Sequence, residues 1–221
     1  MSEAPHSIDF YFDFACPYAY LASTRIDELA AHTGAQINLK PVLLGGIFRA
    51  LNQPQNMSTT LSPAKAKHNR LDLLRWASWL EVPLQTPLRH PNRSVEALRF
   101  LLASPGDYAL SVMTAFYELY WAQSADISDV EVLKHALRAL DLDAEAIASK
   151  ASSDAVKDSL RERTQAAVEL GIFGVPTFVV GGEVFFGQDR VEMVAEAAMG
   201  WTAREQLVDS FSFNQETNKA Q

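Results

Sequence analysis

The chain has one cysteine, and its neighbours give that sulfur a chemical setting. Cys16 comes at the end of Ile8-Asp9-Phe10-Tyr11-Phe12-Asp13-Phe14-Ala15 and is followed at once by Pro17 and an apolar, alanine-rich segment. Aromatic and β-branched residues favour a strand, and proline suits the first turn of a helix, where its missing N–H would have had no partner. The pattern predicts strand, tight turn, helix, with Cys16 at the helix mouth among free amide donors. There the positive end of the helix dipole favours a thiolate and lowers the pKa of the thiol. Cys16 is then a nucleophile or thiol-binding centre; the other reading is a small buried hydrophobe, the commoner state of unpaired cysteine. His6, His32, His68, His90 and His135 show no metal-ligand spacing, and a lone cysteine excludes both an internal disulfide and a cysteine zinc cluster. Gly45-Gly46 lacks the further glycines and the Lys-Ser/Thr ending of a phosphate loop.

The elements that must position Cys16 follow from local patterns. Ala19 to Thr33 carries apolar residues at helical spacing up to Gly34, predicting the first helix. Gln36 to Lys40 alternates polar and apolar and predicts a half-buried strand closed by Pro41. A βαβ order of this length implies two parallel strands with a right-handed crossover. Val42 to Phe48 leads into Asn52-Gln53-Pro54-Gln55-Asn56, which reads as a loop and a candidate binding loop. From Ser62 to Leu170 amphipathic helical segments follow one another: Ala64 to Leu80, Ser94 to Ala103, Tyr108 to Gln123, Asp129 to Leu140, Asp143 to Ala151 and Ser153 to Leu170. Asp129 and Ser153 stand as plain N-caps. Gly174 to Gly187 predicts two short strands around a Gly181-Gly182 turn, and Asp189 is expected to cap a final helix reaching about Met199. Asn214 to Gln221 is expected to be a mobile tail.

With 221 residues, 48% of them hydrophobic, the chain suits one compact soluble domain with an insertion. Its net charge of −8, with no run of Lys and Arg, argues against a general nucleic-acid binder. No apolar run approaches the ~20 residues of a bilayer span, and Met1 to His6 lacks the basic-then-apolar pattern of a signal peptide. The single cysteine points to a reducing, cytoplasmic setting.

Taken in order, these pieces resemble the thioredoxin fold of the superfamily that holds disulfide oxidoreductases, kappa-class glutathione transferases and 2-hydroxychromene-2-carboxylate isomerases. The likeness is closest to the isomerases. It rests on Asp9 to Phe14 with Pro17-Tyr18-Ala19-Tyr20-Leu21-Ala22, on Lys40 to Phe48, on Asp72 to Ala77 with Val82-Pro83, and on Gly171 to Phe178 running to Phe186-Gly187-Gln188-Asp189-Arg190. The resemblance implies an α/β, thioredoxin-like fold with a large all-helical insertion. Residues 1–60 and 171–221 would form a discontinuous thioredoxin-like domain, and residues 61–170 the insertion.

It also implies roles. Pro176 would be cis and leave the Val175 backbone to pair with the cysteinyl peptide of glutathione like an added strand. Gln188 and Asp189 would grip the γ-glutamyl end, while Asn52 and Lys65 would hold the glycyl end. Tyr18, Phe48 and Trp76 are candidate walls for an aromatic substrate, and Arg190 a candidate partner for its carboxylate. His68 stands where relatives often have tyrosine. At position 16 isomerases and transferases typically have serine, whereas disulfide oxidoreductases have cysteine with a second cysteine where this chain has Ala19. An ordinary dithiol cycle is thereby excluded.

Three functions fit. The first is a glutathione-dependent isomerase of a small aromatic carboxylate, by thiolate addition, bond rotation and elimination, with Cys16 steadying the glutathione thiolate or acting as nucleophile. The second is a monothiol redox enzyme or kappa-like transferase working through a Cys16–glutathione mixed disulfide. The third is a glutathione- or partner-binding protein without chemistry. The resemblance further implies a homodimer, while charge, hydropathy and histidine spacing lead us to expect no nucleic acid, membrane or metal among its partners.

Overall fold

The computed structural model describes residues 7–202; the first six residues and the tail from Asn214 to Gln221 lie outside the described residues. Four strands, β1 (Ile8–Phe12), β2 (Ile37–Pro41), β3 (Thr177–Val180) and β4 (Glu183–Phe186), form one sheet in the order β2-β1-β3-β4. β1 and β2 are parallel, whereas β3 runs antiparallel to both β1 and β4. The βαβ and hairpin expectations are both met.

Among the described residues there are ten α-helices: α1 (Pro17–Ser23), α2 (Ile26–Thr33), α3 (Leu44–Ala50), α4 (Pro63–Trp79), α5 (Val95–Ala103), α6 (Ala109–Tyr117), α7 (Val130–Ala139), α8 (Ala144–Ala151), α9 (Asp154–Glu169) and α10 (Val191–Ala198). Asp129 and Ser153 cap α7 and α9 by accepting from the amides of Glu131 and Val156. Among the described residues no helix is long and apolar enough to cross a membrane.

The core forms where β1 meets α6. Strict alternation buries Ile8, Phe10 and Phe12 completely on one face of β1, and Phe10 stacks on Phe178 of β3. Phe14, just past the strand, packs edge-on against both Phe116 and Tyr117. Each such ring removes a large apolar area from water and gains about 1 kcal/mol from quadrupole geometry, so this contact welds the sheet to the helical insertion.

Four expectations need correction. The helix from Ala19 to Thr33 is broken at Thr24-Arg25, where the hydroxyls of Ser23 and Thr24 donate back to the carbonyls of Tyr20 and Leu21 and compete with the helical ladder. The segment expected to run from Tyr108 to Gln123 ends its regular part at Tyr117 and continues as a π-turn over Glu118–Ala122. That wider turn aims the buried Trp121 so that its indole N–H donates to the Phe14 carbonyl at 2.9 Å. Leu44 to Ala50, read as the lead-in to a loop, is α3. Asp189 does not cap the last helix: it sits in a 3-10 turn, Gln188–Arg190, and α10 begins after it without a side-chain cap.

α3 exists because distant residues serve its free amides. The Leu44 N–H donates to Asp13 Oδ2 at 2.7 Å, and the Leu43 N–H to Thr164 Oγ1 at 3.0 Å. Asp13, almost fully buried, also accepts from the Ala15 N–H at 3.0 Å and from the Ser94 hydroxyl at the mouth of α5. Its backbone carbonyl accepts from the Cys16 N–H and the Tyr117 hydroxyl. Replacing Asp13 by alanine strands the Ala15 and Leu44 amides, and is expected to lower unfolding free energy by about 3 kcal/mol in urea titrations. Burial raises the Asp13 pKa against the lowering effect of those donors, so the fold favours the neutral carboxyl. Its stabilising contribution is therefore full below the ordinary carboxylate value and declines as pH rises through the folded value. The stability difference between the wild type and Asp13→Asn, which cannot titrate, should be most in favour of the wild type at low pH.

Candidate active site

Cys16 is the N-cap of α1, as its neighbours imply, with extended backbone and Pro17 in the first turn. The Tyr18 and Ala19 amides point at its sulfur and pull the thiol pKa down. They do not prevail. Cys16 is only 8% exposed, and burial, with a further push from Asp13, carries the thiol from 9.0 up to about 12. The expectation of a lowered pKa is overturned because burial disfavours the charged form by more than a helix terminus favours it. The protonated thiol donates to the Val175 carbonyl at 3.2 Å, across 159 residues of sequence.

That contact brings the two distant pieces face to face. The Val175–Pro176 peptide bond is cis and both residues are buried, leading directly into β3. The Thr177 hydroxyl pins the turn by donating to the Gly174 carbonyl at 2.8 Å. The Pro176 carbonyl accepts from the Gly187 N–H at 3.0 Å, which ties the turn holding Gln188 and Asp189 to the same edge. α1 packs against this turn on one side and against α4 on another.

Gln188 is buried and its Oε1 has no hydrogen-bond partner among the described residues. Asp189 is exposed, with its carboxylate 3.5 Å from the half-exposed Arg190 guanidinium. Gly187 is required here: its φ is +117°, and a Cβ would stand 2.5 Å from Asp189 Oδ1. Tyr18 is half-buried, its hydroxyl donating weakly to the Asn69 carbonyl at 3.4 Å. Burial raises its phenol pKa, and the charges of Asp72, Cys16 and Asp189 add to the rise.

The remaining expected residues lie on or just after α3 and on α4, the helix against which α1 packs. Asn52 follows α3 with φ +54°, and Lys65 lies in the first turn of α4; both are exposed, and neither side chain makes a hydrogen bond or ion pair among the described residues. Phe48 and Trp76 are half-buried on α3 and α4, and neither ring pairs with another ring among the described residues. Asp13 and Tyr117, which underlie the Cys16 turn, were not singled out from sequence. An acid closing a run of phenylalanines was the one available hint. No group of three or more His, Cys, Asp or Glu among the described residues is placed to hold a metal ion.

A helix-mouth cysteine facing a cis-proline edge across a βαβ–ββα sheet defines a thioredoxin-type site. The model of the DsbA-like thioredoxin domain matches residues 7–198. Within that fold the chain belongs to the 2-hydroxychromene-2-carboxylate isomerase family. It is 31% identical over 188 residues to the 2-hydroxychromene-2-carboxylate isomerase of Sphingobium xenophagum, covering 85% of this chain and 95% of that one. It is 30% identical over 215 residues to glutathione S-transferase kappa 1 of Rattus norvegicus, covering 88% and 92%. The solved structure of a selenomethionine 2-hydroxychromene-2-carboxylate isomerase superposes with a TM-score of 0.78 at 29% identity, covering 92% of this chain and 96% of the other. The named relatives are enzymes, isomerases and transferases.

The buried thiol has a measurable signature. Cys16 in the ligand-free protein should react slowly with iodoacetamide at neutral pH and show no thiolate absorbance below its ordinary value of 9.0. Because the folded pKa exceeds the unfolded one, the thiol's contribution to stability is full below about 9 and is lost as pH rises towards about 12. Titration below 9 would show instead that the Tyr18 and Ala19 amides dominate.

Proposed function

We propose that this chain is a glutathione-dependent isomerase of a 2-hydroxychromene-2-carboxylate-type substrate, working as a homodimer in a reducing cytoplasm. The observation that carries the reading is the 3.2 Å contact between Cys16 Sγ and the Val175 carbonyl, which sets a thiol beside a backbone edge suited to an extended peptide. The residues fit glutathione: the exposed Asp189 carboxylate suits an ammonium, and the unpartnered Gln188 Oε1 is an acceptor in want of a donor. Val175 and Pro176 would hold the cysteinyl peptide, Gln188 and Asp189 the γ-glutamyl end, and Asn52 and Lys65 the glycyl carboxylate.

Glutathione, when bound, supplies a thiolate whose reversible addition turns a conjugated double bond into a single bond free to rotate, with no net oxidation or reduction. A Cys16 thiol that keeps its proton is suited to donate a hydrogen bond to that thiolate. To do so it must leave the Val175 carbonyl, which the docked peptide then engages. Tyr18, Phe48 and Trp76 would wall the aromatic substrate, and Arg190 would pair with its carboxylate. A sulfur at position 16 favours a second reading, in which Cys16 displaces the thiol of a glutathionylated disulfide and a second glutathione releases the enzyme as glutathione disulfide. A thiol held protonated is a poor attacking group, which argues against it.

In an assay following chromene and open-chain forms with glutathione present, Cys16→Ser should keep most of its activity. Cys16→Ala should lose about a hundredfold, the cost of deleting one donor to a developing anion. Loss of activity in Cys16→Ser, together with glutathione disulfide formation by the wild type, would establish the redox reading instead. Gly187→Ala should weaken glutathione binding by displacing the Asp189 carboxylate, read as a raised KM for glutathione.

A further inference from the structure

Away from Cys16, a half-open cavity of about 320 Å³ lies between α3, α5 and α9, the lower end of the size range for small-molecule sites. Its wall carries Arg49, Arg93, Arg99, Lys157 and Arg161 and not one carboxylate. No run of basic residues appears in the sequence; the fold assembles this one from three helices and a loop, in a chain whose net charge is −8. It shares no lining residue with the constellation around Cys16 and Val175.

Like charges gathered this way repel, and Lys157 and Arg161, one helical turn apart on α9, do so directly. Three of the five have partners outside the cavity wall: Arg93 with Glu96 at 3.1 Å, Lys157 with Asp154 and Arg161 with Asp158, both at 2.9 Å. The two pairs on α9 are exposed i,i+3 pairs, weak and easily exchanged, while in the third Arg93 is exposed and Glu96 partly buried. Arg49 and Arg99 have no hydrogen bond or ion pair through their side chains among the described residues. Arg49 ends α3, where the helix dipole favours a cation. Arg99 has no such reason. Its Nε is shut away from solvent with no acceptor among the described residues; Glu96, one turn earlier, gives Oε1 to Arg93, and its buried Oε2 makes no hydrogen bond to Arg99 either. A buried guanidinium donor left unmade is unfavourable until an acceptor arrives.

The rest of the lining is aliphatic, with Leu43, Val95, Leu160 and Val168 on the same cavity. We infer that this cavity is a second ligand site, for a small organic anion with an aliphatic body whose phosphate or carboxylate group engages Arg99 and Arg49. Guanidinium forks match either head group in a bidentate manner, and the leucine and valine side chains cover the tail.

Calorimetric titration with n-hexyl phosphate and with hexanoate at low ionic strength tests this, the aliphatic probes being unlike an aromatic substrate of the Cys16 site. The wild type should bind one equivalent of at least one probe, more weakly as salt is added. The double variant Arg49→Gln/Arg99→Gln should bind about tenfold more weakly or worse, as the loss of one charge-assisted pair implies. Cys16→Ser should bind as the wild type does, and glutathione should not compete. Tighter binding of the phosphate than the carboxylate assigns a phosphate monoester; the reverse assigns a carboxylate. Absence of binding by both probes, equal binding by the wild type and the double variant, or displacement by glutathione overturns the inference. Should the double variant fail to fold, Arg49→Gln alone is expected to weaken binding of the probe, and equal binding by it and the wild type overturns the inference.

Discussion

The buried carboxylate of Asp13 is the joint on which the Cys16 turn closes. Its two oxygens receive the amides of Ala15 and Leu44 and the hydroxyl of Ser94, while its main-chain carbonyl receives Cys16 and Tyr117. One residue at the end of β1 thus fixes the turn that carries the sulfur, the start of α3 and the mouth of α5. Taking such a group out of water costs several kcal/mol, and an isolated carboxylate there would not be tolerated. Three donors, each worth roughly 1.5–3 kcal/mol to a charged acceptor, offset part of that cost, and burial still leaves the carboxyl pKa raised. The same contacts set the aromatic seam of Phe14, Phe116 and Tyr117 beneath the turn.

That arrangement decides the state of the thiol. A rise from 9.0 to about 12 corresponds to about 4 kcal/mol against ionisation. A helix terminus contributes ~1 kcal/mol in the other direction, and α1 is seven residues long. Burial wins, and the sulfur spends its proton on the Val175 carbonyl. Placement at a helix mouth therefore describes where Cys16 is without describing its charge.

Features whose causes are local could be read from the sequence, and features whose causes are distant could not. β1, the parallel pairing with β2, the Gly181-Gly182 hairpin and the caps at Asp129 and Ser153 each announce themselves within a few residues. The helix α3 does not, because its amides are served by Asp13 and Thr164, 31 and 121 residues away from their partners. Nor does the π-turn after Tyr117, which answers to a carbonyl on Phe14. In the candidate site, Cys16 was legible because a helix-mouth cysteine is a local signal, whereas Val175 and Pro176 were singled out only through the family resemblance. Asp189 misled because a 3-10 turn intervenes before α10. The five cations around the α3–α9 cavity could not be read as a group, since nothing local shows that three helices will turn them towards one another.

The closeness of α3 to α9 has a mechanical meaning. At Gly46 a single methyl group would come within 2.9 Å of the Thr164 side chain, and Thr164 is also the residue that receives the Leu43 amide. Spreading these two helices to make room would tug on Leu43 and Leu44 together, and through Leu44 on the carboxylate beneath the sulfur. Gly46 thus works as the short arm of a lever: a bulkier residue there touches no reacting atom, yet would loosen the floor on which the thiol rests.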